Sequence, residues 1–506
     1  MRSKKAIKNI ISSVFQQIVT FVCGLVVPRA IIGTFGSSVN GLLSSITQFL
    51  SYITLLEAGI GPVIKSALYK PIAQKNKYEI EKILKASQRF FRIISAIFIV
   101  YLIILCFIYP LIVANQFDYM FTVSLILIIS ISIFAEYFFG MVYKLYLQAE
   151  QKTYVTSIVQ SATTILNAVL IVVLIKCNAN IQIVKLVSAF VFVLRPIVQN
   201  IYVKRKYNIN FKEVKEKYDL KQKWDGLAQH IAAVVHNNTD VAVLTIFSNT
   251  AEVSVYTVYL FVINGVKNIV QAFTGGVDAS FGDMIVKGEK EALNRSFRTY
   301  EIFYYTIITI VYIVTMIMIL PFITVYTKGI TDVNYYRPGF AMLIILAELF
   351  WSIRLPYSSI TLAAGHFKET RKGAWIEVFS NLIISIVLVF NFGMIGVAIG
   401  TLVAMFIRTI EFIYHSSKYI LGRSILDSVK RIILLFLELL LLVPIGIFIC
   451  SKFNIEEYSS WIIIAAVVTI VIAVIVLLIN LLIYRNDAKS VLEILKKNFI
   501  KKEVKE

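Results

Sequence analysis

Residues 93–112 read IISAIFIVYLIILCFIYPLI, a run of twenty residues without a charged side chain. An α-helix of about 20 apolar residues crosses the hydrocarbon core of a bilayer. Similar runs recur along the chain, for example at 157–175, 302–322 and 461–483. The pattern predicts about fourteen membrane-spanning helices. Because these take up about two thirds of the 506 residues, no large soluble domain remains.

The overall composition agrees with a membrane protein. Hydrophobic residues make up 58% of the chain, whereas soluble proteins contain roughly 45–50%. The formal net charge is +20, from 50 Lys and Arg against 30 Asp and Glu, which in a soluble protein would suggest nucleic-acid binding. Most of the basic residues lie between the apolar runs, so we attribute the charge to membrane topology and predict no nucleic-acid partner.

The basic residues alternate from one connecting segment to the next. About 40 Lys and Arg fall in one set of segments and about 5 in the other, and short loops rich in Lys and Arg stay in the cytoplasm. This asymmetry predicts a multi-pass protein of the bacterial plasma membrane with both termini in the cytoplasm. The basic set comprises residues 2–8, 65–92, 204–223, 287–298, 368–372 and 418–431 and the tail from residue 485.

We number the predicted helices in chain order, with approximate ends. Helices 1 to 6 are 10–32, 39–64, 90–113, 119–147, 153–176 and 181–203. Helices 7 to 12 are 226–248, 253–280, 299–326, 338–364, 374–391 and 394–416, and helices 13 and 14 are 432–450 and 460–484.

The longest basic segment follows helix 6 and separates the first twelve helices into two groups of six. A weak internal repeat supports this division, because short outer turns begin at Phe35 and again 212 residues later at Phe247. The predicted divisions are an N-terminal six-helix lobe at 1–203, a cytoplasmic linker at 204–225, a C-terminal six-helix lobe at 226–416, a second cytoplasmic linker at 417–431, helices 13 and 14 at 432–484 and a basic cytoplasmic tail at 485–506.

Polar residues concentrate on helices 1, 2, 7 and 8, the first two helices of each lobe, whereas helices 3, 9 and 14 are almost purely apolar. A polar group inside a membrane is costly unless it faces a bundle interior or a water-filled cavity. The pattern therefore predicts a polar cavity between the lobes. The uncharged candidates to line it are Gln16, Gln48, Gln229, Asn237, Asn264 and Gln271.

Ionisable residues accompany this polar set. Arg29 lies near the outer end of helix 1, where a cavity role and snorkelling to the interface both fit, and Lys267 lies deep in helix 8. Glu57, His236 and Asp240 are candidates for coupling transport to an ion. The two carboxylates are also consistent with pairing to Arg29 and Lys267, and His236 with neutral packing, so these alternatives stay open.

A second charged set lies on helices 4, 10, 11 and 12. Glu136 and Lys144 share a face of helix 4, and Glu348 and Arg354 lie on helix 10. Salt bridges and a functional role both explain these four residues. The residues that we interpret as structural pairs are Glu377, Arg408 and Glu411.

Motifs for ATP hydrolysis and for enzymatic catalysis are absent from the sequence. Residues 59–66, GIGPVIKS, resemble a phosphate-binding loop only superficially, since Ile64 replaces the glycine before the lysine and Pro62 interrupts the loop. The four cysteines show no metal-ligand spacing, and the outer segments contain no acidic pair for glycosyl transfer. We therefore predict that the protein is not an enzyme and binds no metal or cofactor.

Several stretches resemble a known family: PRAIIGTFG at 28–36, LLEAGI at 55–60, and NTD at 238–240 followed by Val255 and Tyr256. With fourteen helices in a 6+6+2 order, these stretches resemble the Wzx-type oligosaccharide-lipid flippases. That family belongs to the polysaccharide-exporter branch of the MOP superfamily, with the lipid II flippases and the MATE drug exporters. The chain departs from the family pattern at Glu57, which replaces an aspartate, and at 274–278, where a proline is usual.

The resemblance implies a MATE-like arrangement of two six-helix lobes with an added C-terminal helix pair, working by alternating access. The implied substrate is an oligosaccharide repeat unit on undecaprenyl diphosphate. A diphosphate needs cations, for which Arg29 and Lys267 are best placed, with Arg354 and Lys144 in reserve. The six amides above would bind the sugars, and helices 13 and 14 would add an apolar surface for the tail. Implied partners are membrane lipids, a proton or sodium counter-ion, a polysaccharide polymerase and glycosyltransferases.

Two other classes of protein remain as alternatives. A MATE-like ion-coupled exporter of small molecules would have twelve helices and a net acidic cavity, and helices 13 and 14 count against it. A membrane-embedded polysaccharide polymerase or glycosyltransferase would need a long outer loop with catalytic acids, and the sequence has none.

Overall fold

The structure, a computed structural model, describes residues 2–57, 60–211, 214, 218, 227–274, 277–366 and 368–484, with side chains except at 2–4, 6, 227–233, 235–237 and 277–279. All regular secondary structure in these residues is helical, and thirteen helices are long and apolar enough to cross a membrane. The chain is therefore an all-α, multi-pass membrane protein, as predicted. It forms two compact units, Met1–Thr257 and Val258–Glu506.

The first unit contains helices 1 to 7 and the beginning of helix 8. Helix 1 packs against helix 5, helix 5 against helix 6, and helix 6 against helix 4. Two short helices, Thr54–Glu57 and Ile60–Ala73, follow helix 2. The bounds are Arg2–Phe35 for helix 1, Ser37–Ser51 for helix 2, Lys77–Ile112 for helix 3, Tyr119–Ala149 for helix 4, Thr153–Lys176 for helix 5, Ile181–Tyr207 for helix 6 and Leu227–Phe247 for helix 7.

The second unit is built around helix 9, against which helices 10, 13 and 14 all pack. Helix 12 packs against helices 10 and 11, and the short helix Val277–Val286 precedes helix 9. The bounds are Thr250–Ala272 for helix 8, which begins in the first unit, Lys290–Tyr326 for helix 9, Pro338–Ala363 for helix 10, Arg371–Phe392 for helix 11, Met394–Leu421 for helix 12, Ile425–Cys450 for helix 13 and Tyr458–Ile483 for helix 14.

Helix 7 is the predicted span that is not among these thirteen. It forms as Leu227–Phe247, but its apolar part in the described residues is the shorter stretch Asn238–Phe247. Crossing a bilayer takes about 20 apolar residues. Its role as a fourteenth span therefore stays a prediction.

Helices 3 and 9 are longer than predicted, because they begin at Lys77 and Lys290 instead of near residues 90 and 299. Both extensions are rich in Lys, Arg and Glu, which favour helices. The Asn76 side chain caps helix 3 by accepting a hydrogen bond from the Glu79 amide at 3.2 Å. Much of the basic segment at 65–92 is therefore helical, and it carries its charges on turns that extend beyond the apolar run.

Helix 2 and the start of helix 8 approach each other closely within the first unit. A side chain on Gly41 would begin 1.6 Å from the Thr250 backbone oxygen, so this position admits only glycine. Beside this contact, the Asn40 amide donates a hydrogen bond to Ser254 Oγ at 2.8 Å. Small residues with polar groups that bond across the contact are typical of membrane helix pairs.

Gly41→Ala should lower the free energy of unfolding by about 1–3 kcal/mol, because the added methyl group forces the two helices apart. The measurement is thermal or denaturant unfolding of the full-length protein in detergent. Gly339→Ala is the matched control, since the nearest neighbour of a Cβ at position 339 is Ile395 at 3.9 Å. Equal unfolding midpoints for Gly41→Ala and the wild type would contradict the close packing.

Reporter fusions test the topology that the charge asymmetry predicts. A fusion at Lys75, in the turn before helix 3, should report the cytoplasm, and one at Asn249, between helices 7 and 8, should report the outside. The measurement pairs a fluorescent reporter that folds only in the cytoplasm with a phosphatase active only outside. The same readout at both positions would overturn the topology.

Candidate functional site

Lys267, the predicted cation deepest in its helix, pairs with a carboxylate in the second unit. Its Nζ lies 2.8 Å from Glu348 Oε2 and 4.5 Å from the centroid of the Trp351 ring. Glu348 and Trp351 lie one turn apart on helix 10. The Lys267 and Glu348 side chains are 13% and 7% exposed, so the pair is largely withdrawn from water. The arrangement is a buried ion pair with an added cation–π contact.

Arg354 belongs to a network of two arginines and two glutamates. Its Nη1 lies 2.8 Å from Glu377 Oε1, and Arg408 Nε lies 3.3 Å from Glu377 Oε2. Arg408 also pairs with Glu411 and donates a hydrogen bond to the Thr370 carbonyl at 2.8 Å. Glu377, Arg408 and Glu411 thus form the structural pairs that the sequence predicts. Arg354 joins them, so its charge is already balanced by a carboxylate.

Lys144 pairs with Glu136 in the first unit, with Nζ 3.0 Å from Oε1. The eight-residue spacing places the two residues on one face of the helix. The helix between them, however, is not regular. A π-helical turn spans Glu136–Gly140, and a Cβ at position 140 would lie 2.7 Å from Pro196 Cβ on helix 6. Single π turns inside helices are frequent at functional sites. Lys144 is therefore a cation beside a local irregularity, though not an unpaired one.

Two of the three predicted ion-coupling residues accept hydrogen bonds from tyrosines in the first unit. Tyr256 OH donates to Asp240 Oδ2 at 2.7 Å, and Tyr137 OH donates to Glu57 Oε2 at 3.3 Å. Asp240 is buried and Glu57 is half-buried. A carboxylate held by a neutral donor is able to bind a cation or a proton. The third residue, His236, lies outside the side chains that the structure describes.

Arg29 is half-buried on helix 1, which ends at Phe35. Its Nη1 lies 3.8 Å from the point where a side chain on Gly33 would begin, so the guanidinium extends toward the C-terminal end of the helix. This is the direction that snorkelling requires, and a cation at that end also interacts favourably with the helix dipole.

The uncharged candidates are spread over both units. Gln16 donates a hydrogen bond to Gln160 Oε1 at 2.5 Å and so joins helix 1 to helix 5. Gln48 is half-buried, whereas Asn264 and Gln271 are exposed on helix 8, three residues before and four residues after Lys267. Their spacing places these two amides on the same face of the helix as that lysine. Gln229 and Asn237 lie outside the described side chains.

Part of the polar stripe on helices 2 and 7 holds the helices together. Ser51 Oγ donates to Asn238 Oδ1 at 3.3 Å, and Tyr52 OH donates to the Asn238 carbonyl at 3.1 Å. Farther along, the hydroxyls of Ser45 and Thr245 lie 2.6 Å apart. Such bonds are a common use of polar residues between membrane helices. The stripe therefore has a structural role that a cavity alone does not explain.

The structure also contains an ionic cluster that the sequence analysis missed. Glu301 on helix 9 is fully buried, pairs with Arg423 and Arg431, and accepts a hydrogen bond from Tyr357 OH. The expectation of a nearly apolar helix 9 is wrong at this residue. The two arginines follow Glu301 by 122 and 130 residues, so no local spacing signals the contact. Through the pair of Arg431 and Glu301, the cluster links helix 13 to helix 9.

Comparison with solved structures identifies the fold. The inward closed conformation of the lipid II flippase MurJ matches with a TM-score of 0.68 and 17% identity, over 95% of this chain and 99% of that chain. The inward-facing conformation of a multidrug resistance MATE family transporter of the MOP superfamily matches with a TM-score of 0.58 and 14% identity, over 82% and 96%. The chain has the fold of the MOP superfamily.

A mutant of the Vibrio cholerae MATE transporter VcmN gives a third MOP match, with a TM-score of 0.55 and 15% identity over 84% of this chain and 98% of that chain. Neither a protein-family model nor a curated protein sequence matches the chain. These neighbours are transporters or flippases and not enzymes. The MOP fold is thus established, while the Wzx-type resemblance stays a prediction.

The extent of each match bears on helices 13 and 14. Residues from Ile425 to the end make up about a sixth of the 506-residue chain. A match over 95% of the chain therefore has to include part of this segment, whereas matches over 82% and 84% can leave it out. The likeness to MurJ therefore extends into the C-terminal helix pair.

A double-mutant cycle tests the pair between Lys267 and Glu348. Lys267→Met alone leaves Glu348 buried without its cation, which should destabilise the protein by about 3–5 kcal/mol. Adding Glu348→Gln should recover most of this loss, as measured by unfolding of the full-length protein in detergent.

The control is the exposed pair of Lys328 and Glu456, 3.4 Å apart with side chains 61% and 62% exposed. Its coupling energy should be below about 1 kcal/mol. If the effects of the Lys267 and Glu348 substitutions simply add, the two residues do not stabilise each other.

Proposed function

We propose that this protein is a flippase that moves an undecaprenyl-diphosphate-linked oligosaccharide repeat unit from the inner to the outer leaflet of a bacterial plasma membrane by alternating access. The observation that carries the proposal is the likeness to the lipid II flippase MurJ over 95% of the chain, a share that includes part of the C-terminal helix pair. In this role the protein works beside the glycosyltransferases that build the repeat unit and the polymerase that consumes it.

Helices 13 and 14 supply the apolar surface that a lipid-linked substrate needs. The tail of such a substrate stays in the bilayer while the headgroup crosses, so the transporter must present hydrocarbon-compatible surface beside the headgroup path. Tyr458–Ile483 contains no charged residue. Leu440, Phe448 and Ile470 are 72%, 64% and 65% exposed. In this proposal the lipid chains lie against this outer surface.

In this proposal Lys267 binds the diphosphate by exchanging partners. Its ammonium lies 2.8 Å from Glu348, so the phosphate takes the place of that carboxylate. A counter-ion that pairs with Glu348 favours the exchange, which gives that ion a physical role in transport. The further proposed ligands are Arg29, Arg354 and Lys144 for the diphosphate and Gln16, Gln48, Gln229, Asn237, Asn264 and Gln271 for the sugars, with Glu57, His236 and Asp240 as ion-coupling residues.

Flipping by the full-length protein in proteoliposomes tests the proposal. The measurement is the rate at which a fluorescent undecaprenyl-diphosphate disaccharide becomes accessible to a membrane-impermeant quencher. Arg29→Gln should slow flipping about 10-fold or more, because it removes a charged hydrogen bond worth about 1.5–3 kcal/mol. Since a single change at Lys267 also destabilises the fold, Lys267→Gln is combined with Glu348→Gln and should slow flipping similarly.

Lys328→Gln, in the turn after helix 9, is the matched control and should flip at the wild-type rate. Wild-type rates for Arg29→Gln and for the Lys267→Gln, Glu348→Gln double variant would remove the cation site. A wild-type protein that leaves the labelled lipid in its original leaflet would remove the function.

A MATE-like ion-coupled exporter of small cationic molecules is the second candidate. The observation that favours it is charge balance, since Lys267, Arg354 and Lys144 each lie within 3.0 Å of a carboxylate oxygen. The same proteoliposomes separate the two functions. Gradient-driven uptake of a fluorescent lipophilic cation, without flipping of the labelled lipid, would favour the exporter.

A further inference from the structure

Three lysines from separate parts of the chain gather at one end of the first unit. Lys5 lies at the start of helix 1, Lys152 in the turn between helices 4 and 5, and Lys206 in the last turn of helix 6. These helix ends come together because helix 1 packs against helix 5, and helix 5 against helix 6. The predicted topology places this end at the cytoplasmic surface of the membrane.

The gathered lysines carry more charge than their acidic neighbour balances. Glu150 Oε1 lies 3.3 Å from Lys152 Nζ and 3.7 Å from Lys5 Nζ. The Lys206 ammonium is also close enough to be attracted by the charge of Glu150. Glu150 is the single carboxylate in these contacts within the described part of the chain. Three ammonium groups around one carboxylate leave an excess of positive charge.

Tyrosine hydroxyls add hydrogen-bond donors to this excess charge. Lys152 donates to Tyr207 OH and lies 4.7 Å from its ring centroid, and Lys206 donates to Tyr202 OH at 2.8 Å and lies 5.0 Å from that ring centroid. Tyr202 also shares one hydrogen bond with Tyr154. Each ammonium carries three protons and donates one to a phenol oxygen, so the lysines keep further donors for an anion. Such a set of charged and neutral donors suits an anion.

The position of the cluster at the ends of membrane helices points to a lipid as the source of that anion. Tyrosine and lysine side chains are typical of the membrane–water interface, where the polar tip reaches the headgroup level. Next to the cluster, the helices present exposed apolar side chains along which acyl chains can lie, including Ile7, Ile158 and Ile201 at 56%, 55% and 47% exposure. Anionic lipids of the cytoplasmic leaflet attract basic residues at this depth.

We propose that Lys5, Lys152 and Lys206, with Tyr202 and Tyr207, form a binding site for the phosphodiester headgroup of an anionic phospholipid such as phosphatidylglycerol. The ammonium and phenol groups bind the phosphate oxygens, and the acyl chains lie against helices 1, 5 and 6. The site shares no residue with the proposed transport site, and its occupancy does not depend on the proposed function.

The second unit offers a matched control. Lys418 donates a hydrogen bond to Tyr414 OH at 2.7 Å, and these two residues lie 212 positions after Lys206 and Tyr202. Lys418 also lies 5.3 Å from the ring centroid of Tyr419. The contact is of the same kind, but in the described residues around it no second lysine contacts a tyrosine. Lys418→Gln therefore removes one such contact without the gathered charge.

Native mass spectrometry of the full-length protein, titrated in detergent with phosphatidylglycerol or phosphatidylcholine, tests the site. The wild type should bind one phosphatidylglycerol more tightly than any phosphatidylcholine. Lys152→Gln combined with Lys206→Gln should weaken that binding about 10-fold or more, while Lys418→Gln should change it less than about twofold. Lys206→Arg, which keeps the charge, should retain most of the affinity and separates loss of the site from loss of folding.

Four outcomes would overturn the proposal. Equal phosphatidylglycerol affinity for the wild type and the double variant would remove the site, and equal losses in the double variant and Lys418→Gln would show only non-specific attraction. Displacement of the bound lipid by millimolar inorganic phosphate would mark a site for free phosphate. Displacement by a polyprenyl diphosphate at lower concentration than phosphatidylglycerol would mark a substrate site instead.

Discussion

Hydrocarbon solvates charge poorly, and this constraint explains the arrangement of the ionisable residues in the described helices. Burying an ion without a partner costs several kcal/mol, so a charged side chain inside the bundle needs an oppositely charged group beside it. Lys267 has Glu348 beside it, and Arg354 has Glu377. Glu301, which has no exposure at all, has two arginines as partners. Because the partners come from different helices, each pair also fixes how those helices pack.

The same constraint shapes how a phosphorylated headgroup can bind. A lysine that already faces a carboxylate does not gain the full energy of a new ion pair when phosphate arrives, because it first gives up the old one. The net affinity is a difference between two contacts, and it rises if the carboxylate is neutralised at the moment of exchange. In the proposed function an uncharged lipid would have no group to replace Glu348, so the pair would also discriminate against neutral lipids. The ion pair is therefore compatible with the binding role proposed for Lys267.

The sequence predicts the membrane class and nearly every helix, because long apolar runs and charge asymmetry are local properties of the chain. Thirteen spans confirm that part of the analysis. Helix ends are predicted less well, since Lys77 to residue 89 and Lys290 to residue 298 are polar yet helical. The shared helix face of Glu136 and Lys144 follows from their spacing, and the structure shows that they pair. Pairing across 122 residues, as between Glu301 and Arg423, depends on how helices assemble and leaves no pattern in the sequence.

The internal repeat is weak in sequence, but residues at corresponding positions of the repeat make similar contacts in the structure. Glu136 on helix 4 and Glu348 on helix 10 lie 212 residues apart, the same separation that relates Phe35 to Phe247 and Tyr202 to Tyr414. Each of the two glutamates faces a lysine ammonium, at 3.0 Å and 2.8 Å. The source of the lysine differs. Lys144 lies on the same helix as Glu136, whereas the lysine that faces Glu348 on helix 10 comes from helix 8. On helix 10, Pro356 stands at the position corresponding to Lys144.

The comparison of the two pairs shows that the cation is required, whereas the helix that supplies it varies. A carboxylate that is withdrawn from water inside the helix bundle needs a cation within ion-pair distance, whichever helix provides it. A cation on the same helix keeps the pair within one element, so the contact survives any movement of that helix as a rigid body. A cation on a second helix ties the pair to the packing of both helices. The contact between Lys267 and Glu348 is therefore the one of the two that movement between helices is able to break.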